Sequence, residues 1–185
     1  MIDNKKSLQR ITFPGKIHLI NSDQQLNSVA SLLNSSTEFG FDTETKPSFK
    51  KGDVFKVALL QLANETDAFV IRLHYISDFY NIKNVFENEK IVKVGVAIRD
   101  DLKQLQNVFK FEPKNCVELQ TLAKIKGLKN FGIKGMTEEI LEATVSKGPK
   151  MTNWEITQLT DQQIMYAATD AWIGYKLHKK LISIK

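Results

Sequence analysis

The sequence predicts an α/β fold, a mixed β-sheet with helices on both faces. Three observations lead there. Segments with a period of two come first and follow one another directly, the pattern of an antiparallel meander. Strand-like and helix-like runs then alternate, which brings parallel strands into the same sheet. A closing helix carries one apolar stripe and one solvated stripe, as a helix on a sheet face must.

In chain order, residues 16–21 alternate as a strand, and Ser22 suits the N-cap of a helix whose apolar positions Leu26, Val29, Ala30 and Leu33 have helical spacing. Residues 38–45, 55–63 and 67–73 read as three successive strands, the first two separated by a loop with Pro47, Lys50, Lys51 and Gly52. A helical stretch around 76–86 precedes a β-rich run at 90–96 and a helix at about 99–109. A short strand near Val117 leads into helical segments at 119–126 and 133–143. Residues 147–153 are loop by their breakers, and Thr160 or Asp161 caps a last helix running to about Leu181.

The 185 residues, 42% hydrophobic and 25% charged, suit one domain, with 1–15 as a basic N-terminal extension. A chain of this size buries roughly 70% of its unfolded surface, so it needs no metal or disulfide merely to fold. Its one cysteine, Cys116, has no internal disulfide partner. No secretory signal opens the sequence, and Gln61 and Lys93 interrupt the longest apolar runs. These features predict an intracellular, cytoplasmic protein that engages no membrane.

The net charge of +5, with a pI near 9.2, hints at a polyanion partner. Only Arg10, Arg72 and Arg99 are arginine, so most of the positive charge is lysine, which favours backbone contact over base readout. Residues 21–102 hold 12 acids and 9 cations, making an acidic block within a basic chain.

Within that block, the strand alternation puts Asp42 and Glu44 on one face with Gly40, and Phe39, Phe41 and Thr43 on the other. In a central strand two such carboxylates repel and lose hydration unless something positive intervenes; on an edge strand they would simply be solvated. Of Asp100 and Asp101, Asp101 shares a helical stripe with Leu105 and Val108, whereas Asp100 shares one with Gln104 and Asn107. Asp101 therefore points inward, although both could be plain helix-start acids. On the last helix Tyr166 and Asp170 are i, i+4 neighbours on the apolar stripe, either a structural pair or part of a site. Four inward acids on separate elements call for a cation, and an all-oxygen set suits Mg²⁺ or Mn²⁺, with room for two ions in a phosphoryl-transfer geometry.

The ordered segments Phe41-Asp-Thr-Glu44, Lys56-Val-Ala-Leu-Leu-Gln-Leu62, Val94-Gly-Val-Ala-Ile-Arg-Asp-Asp101, Asn153-Trp154 and Leu159 through Tyr166-Ala-Ala-Thr-Asp-Ala171 make the chain resemble the DEDD 3′–5′ exonucleases. Across about residues 35–182 it is more similar to the Werner syndrome protein exonuclease domain than to ribonuclease D. The resemblance implies a ribonuclease H-like fold. It also implies a site in which Asp42, Glu44, Asp101 and Asp170 hold two divalent cations and Tyr166 orients the attacking water. Met165 stands where the histidine-type relatives carry His, which makes this the tyrosine type; His18, His74 and His178 lie in no motif. In two places the chain departs from its relatives: Asp100 replaces a frequent Gly, and Thr152 a frequent Ser.

The implied reaction is metal-dependent hydrolysis of single-stranded or 3′-recessed nucleic acid from the 3′ end, releasing nucleoside 5′-monophosphates. DNA is favoured over RNA, because Werner-type relatives act on DNA and ribonuclease D on RNA. Lys50, Lys51, Lys147 and Lys150 are loop lysines placed to track phosphates. Trp154 reads as packing beside the site, with a nucleic-acid contact as the alternative. No helicase or accessory domain is expected, so a protein partner would have to supply processivity. The rival readings are a nucleic-acid-binding scaffold without activity and an RNA-processing enzyme of ribonuclease D type.

Overall fold

The computed structural model describes residues 8–46, 56–146 and 152–184. A six-stranded mixed sheet lies at its centre, built from β2 (Lys16–Ile20), β3 (Glu38–Thr45), β4 (Val57–Ala63), β5 (Asp67–Arg72), β6 (Val92–Gly95) and β7 (Cys116–Glu118) in the order β2-β5-β4-β3-β6-β7. Strands β3, β4 and β5 form the antiparallel meander, while β2 joins β5, β6 joins β3 and β7 joins β6 in parallel. Among the described residues no helix is long and apolar enough to cross a membrane.

Strand alternation sends Phe39, Phe41, Leu60, Leu62, Phe69 and Ile71 to one face. There they pack on α1 (Asp23–Ser28), α2 (Ala30–Ser35), α3 (Tyr80–Glu87) and α4 (Ile98–Val108). Leu59, Ala63, Val70 and Val94 face the other way, toward α5 (Leu119–Ile125), α6 (Ile133–Ile140) and the long α7 (Asp161–Ser183). Helices on both faces follow from two apolar sheet surfaces, each of which must be covered. The Thr160 side chain accepts from the Gln163 backbone, and the Gln163 side chain bonds back to Thr160, so a capping box starts α7.

Three departures from the sequence reading have local causes. The helix capped by Ser22 breaks at Val29, which adopts φ −105° and ψ 4°, so the apolar stripe is shared by two short helices. The segment predicted as helix from 76 begins only at Tyr80. Leu73–Tyr75 forms a 3₁₀ turn, and the Asp23 carboxylate accepts from the Ser77 and Asp78 amides at 3.0 and 3.1 Å, holding residues 77–78 out of helical pairing. Finally, β1 (Gln9–Arg10) pairs in parallel with β8 (Ala143–Thr144), so part of the N-terminal extension is a strand rather than a tail.

Candidate active site

The site residues lie where β3 outruns its neighbour. Strand β6 pairs only with Glu38 to Gly40, so from Phe41 onward that edge of β3 is open toward the start of α4. Gly95 makes this approach possible, because a Cβ there would come within 2.6 Å of the Phe41 carbonyl oxygen. Ala97 then takes a left-handed backbone conformation (φ 59°). Its strain is offset by the Glu118 carboxylate, which accepts from the amides of Ala97, Ile98 and Gln120 at 3.0, 2.9 and 3.0 Å. One side chain thus staples the start of α4 to the end of β7. Within the first turn of α4, Asp101 is turned to the strand and accepts a hydrogen bond from the Thr43 hydroxyl, while Asp100 is exposed.

Helix α7 crosses β3 at Gly40. A Cβ at that position would sit 1.9 Å from the Ala171 carbonyl oxygen, so only glycine lets the helix backbone lie on the strand. Asp170 is thereby set beside the Asp42 and Glu44 end of β3, and one turn earlier Tyr166 donates to Asp170. Trp154, only 3% exposed, stacks on Tyr166 with ring centroids 6.3 Å apart and donates its indole N–H to Glu44. This placement leaves the indole as packing and as a hydrogen-bond donor, and closes it to base stacking. The segment bearing Trp154 is itself held from below. Buried Arg72 donates to the Thr157 carbonyl at 2.9 Å and to the Ile156 carbonyl, and its guanidinium lies 4.6 Å from the Tyr75 ring centroid.

Asp42 sits well above the usual carboxylate range because burial disfavours its charge and Asp101, Asp170 and Glu44 repel it. Burial, then repulsion from Asp170, raises Glu44 to about 7 against the opposing Trp154 hydrogen bond. Burial raises Asp170 to about 6 despite the Tyr166 bond, and Asp101 is also raised by burial. Burial and Asp170 together push the Tyr166 phenol far above its ordinary value, so it stays protonated. Among the described residues, no three His, Cys, Asp or Glu side chains stand close enough to enclose a metal ion as placed. The five candidate residues share one neighbourhood through these couplings while their carboxylates keep apart, as uncompensated like charges do.

Lys50, Lys51, Lys147 and Lys150 lie outside the described residues. The three histidines all sit in structural contacts. His18 bonds Asp67 and His178 bonds Glu38, both at 2.7 Å, and His74 lies 3.3 Å from Arg72. Sequence reasoning missed Arg72 and Glu118, whose acceptors and donors come from distant segments. A cavity of about 180 Å³ beside Tyr166 and Asp170, with Arg10, Ile11, Val145 and Met165 in its lining, was equally illegible, because residues 10–12 and 145–146 from distant parts of the chain meet α7 there.

The family model described as 3′-5′ exonuclease matches residues 17–184. The mouse bifunctional 3′-5′ exonuclease/ATP-dependent helicase WRN is 31% identical over 159 residues, covering 83% of this chain and 11% of that protein. A 3′-5′ exonuclease of Arabidopsis thaliana is 32% identical over 148 residues, covering 77% of this chain and 51% of the relative. The chain thus spans about half or less of the length of these relatives. Among solved structures, Escherichia coli RNase D superposes with a TM-score of 0.82 at 27% identity, over 90% of this chain and 44% of that one. With the ordered motifs, the mixed sheet and the matched span all in agreement, the chain belongs to the DEDD-type 3′–5′ exonuclease family.

Proposed function

We propose that this chain hydrolyses nucleic acid from the 3′ end to nucleoside 5′-monophosphates, using Asp42, Glu44, Asp101 and Asp170 to hold two divalent cations, Mg²⁺ or Mn²⁺. The observation that carries the reading is electrostatic. The four candidate acids all lie above their ordinary protonation range, and the largest cause in each is burial, so the cluster favours positive charge. The donor set fits hard cations, since every member is a carboxylate and no Cys or His joins it. Bound ions would supply activation of the attacking water and neutralise the leaving oxygen.

The remaining work falls to the chain itself. Tyr166, held protonated and donating to Asp170, orients the attacking water through its phenol oxygen and does not act as a general base. Trp154 fixes the Glu44 carboxylate from one side. Glu118 fixes the helix start that carries Asp101. The cavity beside Tyr166 and Asp170, largely apolar with Arg10 in its lining, suits a nucleotide base and its phosphate.

Single-stranded or 3′-recessed DNA is the substrate favoured by the Werner-type motif pattern. RNA is the second reading, because the similar E. coli RNase D is described as an exoribonuclease involved in structured RNA processing. The test is digestion of 5′-labelled single- and double-stranded DNA and RNA with Mg²⁺, Mn²⁺ or EDTA. A ladder shortening from the 3′ end with metal, and absent with EDTA, is expected. Binding without shortening on any substrate would favour an inactive scaffold.

A further inference from the structure

Gln61 lies in the middle of β4 and is 1% exposed, yet neither its amide nitrogen nor its amide oxygen has a hydrogen-bond partner among the described residues. Its neighbours along its own strand and directly across β5 are apolar. Along the strand the side chains on its face are Leu59 and Ala63, across β5 its register partner is Val70, and α7 packs on the same face. Across β3 its register partner is Asp42. Directly opposed residues in an antiparallel pair hold their Cβ atoms about 4.5–5.5 Å apart on one face, so the amide and the carboxylate stand side by side. Asp42 is the polar side chain directly opposed to it; Glu44 and Arg72, the register partners of Leu59, share the face at diagonal positions, and the Arg72 Nε is likewise buried without a hydrogen-bond partner among the described residues.

A glutamine buried among Leu, Ala and Val bears the desolvation of both amide groups with nothing to offset it. Asp42 is the acceptor directly opposed to that amide; Glu44 stands a diagonal step further along β3, and Arg72, diagonal on β5, offers only donors. We propose that Gln61 is a positioning residue for Asp42: in the cation-loaded site its amide N–H donates to the Asp42 carboxylate and fixes the direction in which that carboxylate presents its other oxygen. One contact already orients Asp42, whose Oδ1 accepts from the Thr43 amide at 2.9 Å. The Gln61 amide would supply a second from the neighbouring strand, so that Asp42 is gripped from both sides of the pleat. This inference rests on the reading of Asp42 as a cation-holding acid.

The proposal separates stability from cation binding in sign. Gln61→Met keeps an unbranched side chain of similar length without the amide, and Gln61→Leu is a second variant of similar volume. Melting temperature is measured by thermal shift, first in EDTA and then across a Mn²⁺ titration without nucleic acid. In EDTA the variants are expected to melt at or above the parent temperature, because two orphaned polar groups leave the core. The Mn²⁺ concentration giving half of the full rise in melting temperature is expected to increase on the order of tenfold. If both variants melt below the parent in EDTA, Gln61 is an ordinary packing residue and the proposal is overturned. A parent that responds to Mn²⁺ alongside variants with the same half-point overturns this proposal alone. A parent that shows no Mn²⁺-dependent rise overturns the cation reading and this proposal with it.

Discussion

Trp154 stacks on Tyr166 with ring planes at 25°, and the same indole donates its N–H to Glu44, so one buried side chain ties helix α7 to strand β3. Trp154→Phe keeps an aromatic ring against Tyr166 and removes the donor. That donor opposes the upward shift of Glu44, so without it Glu44 rises above about 7 and is less ionised at neutral pH. Nuclease activity at pH 7 is expected to fall about tenfold, the scale of one hydrogen bond to a charged group, and in EDTA the fall of Tm with rising pH should extend to higher pH. A metal-free Tm profile that stays in place would show that the indole does not tune Glu44.

Tyr166 and Asp42 divide the labour unequally in this site. Tyr166→Phe removes an orienting hydroxyl and should slow turnover about 10- to 100-fold, whereas Asp42→Ala removes a cation ligand and should leave no measurable activity. Single-turnover hydrolysis of a 5′-labelled oligonucleotide checks this. Comparable residual rates in both variants would contradict the assignment.

Arg72 is 2% exposed and bonds the carbonyls of Ile156 and Thr157. Arg72→Met leaves both carbonyls without that donor, a loss of about 2–4 kcal/mol or roughly 6–12 °C in Tm. The sequence has two tryptophans, Trp154 and Trp172, so in a Trp172→Phe background the emission reports on Trp154. Release of its segment should shift that emission to the red. Unchanged emission would detach Arg72 from the site.

The raised carboxyls predict how the metal-free protein responds to pH. A carboxyl whose folded pKa exceeds its unfolded value binds more protons in the folded state between the two, so stability falls as pH rises through that window. Glu44 rises from 4.5 to about 7 and Asp170 from 3.8 to about 6, both chiefly through burial. In EDTA the Tm should therefore fall between about pH 5 and 7, and Glu44→Gln should flatten the fall and raise Tm at pH 8. Mn²⁺ should remove it by balancing the charge. A flat or rising Tm over that interval in EDTA would refute the electrostatic picture.

At the opposite end of β3 the sign reverses. Burial pushes Glu38 up, but the bonds from His178 at 2.7 Å and Lys179 at 2.6 Å outweigh it and leave the carboxyl below 4.5. Its contribution is present above the unfolded pKa and is lost as pH falls through the folded one. Glu38→Gln should cost about 2–3 kcal/mol at pH 7 and weaken the acid-side loss of stability. Activity per folded molecule should be unaffected, since Glu38 lies four residues before Asp42 on the strand; a proportionate loss of turnover in the folded fraction would show that the two ends of β3 are coupled.

The meander, the inward face of Asp101 and the start of α7 at Thr160 or Asp161 were legible in the sequence, because period and capping chemistry act within a few residues; the structure makes Thr160 the cap. The break at Val29 was not, since an apolar stripe has the same spacing whether one helix carries it or two. The pairing of β1 with β8 escaped because two residues per strand give no period to read.

The acids and the tyrosine were marked by strand and helix face and then by motif order, and one shared site was the expectation; the contacts that bring them together were not legible. What gathered them was the tertiary arrangement: α7 crossing at Gly40, Gly95 pressed under Phe41, Glu118 holding the start of α4. Arg72 and Gln61 show the same division. In the sequence each merely interrupts an apolar strand, and only the folded chain decides that one finds the carbonyls of a distant loop while the other lies unpaired beside Asp42. Local periodicity reports which side of an element faces inward; what waits there is set by strand register and helix crossing, which join residues far apart in the chain.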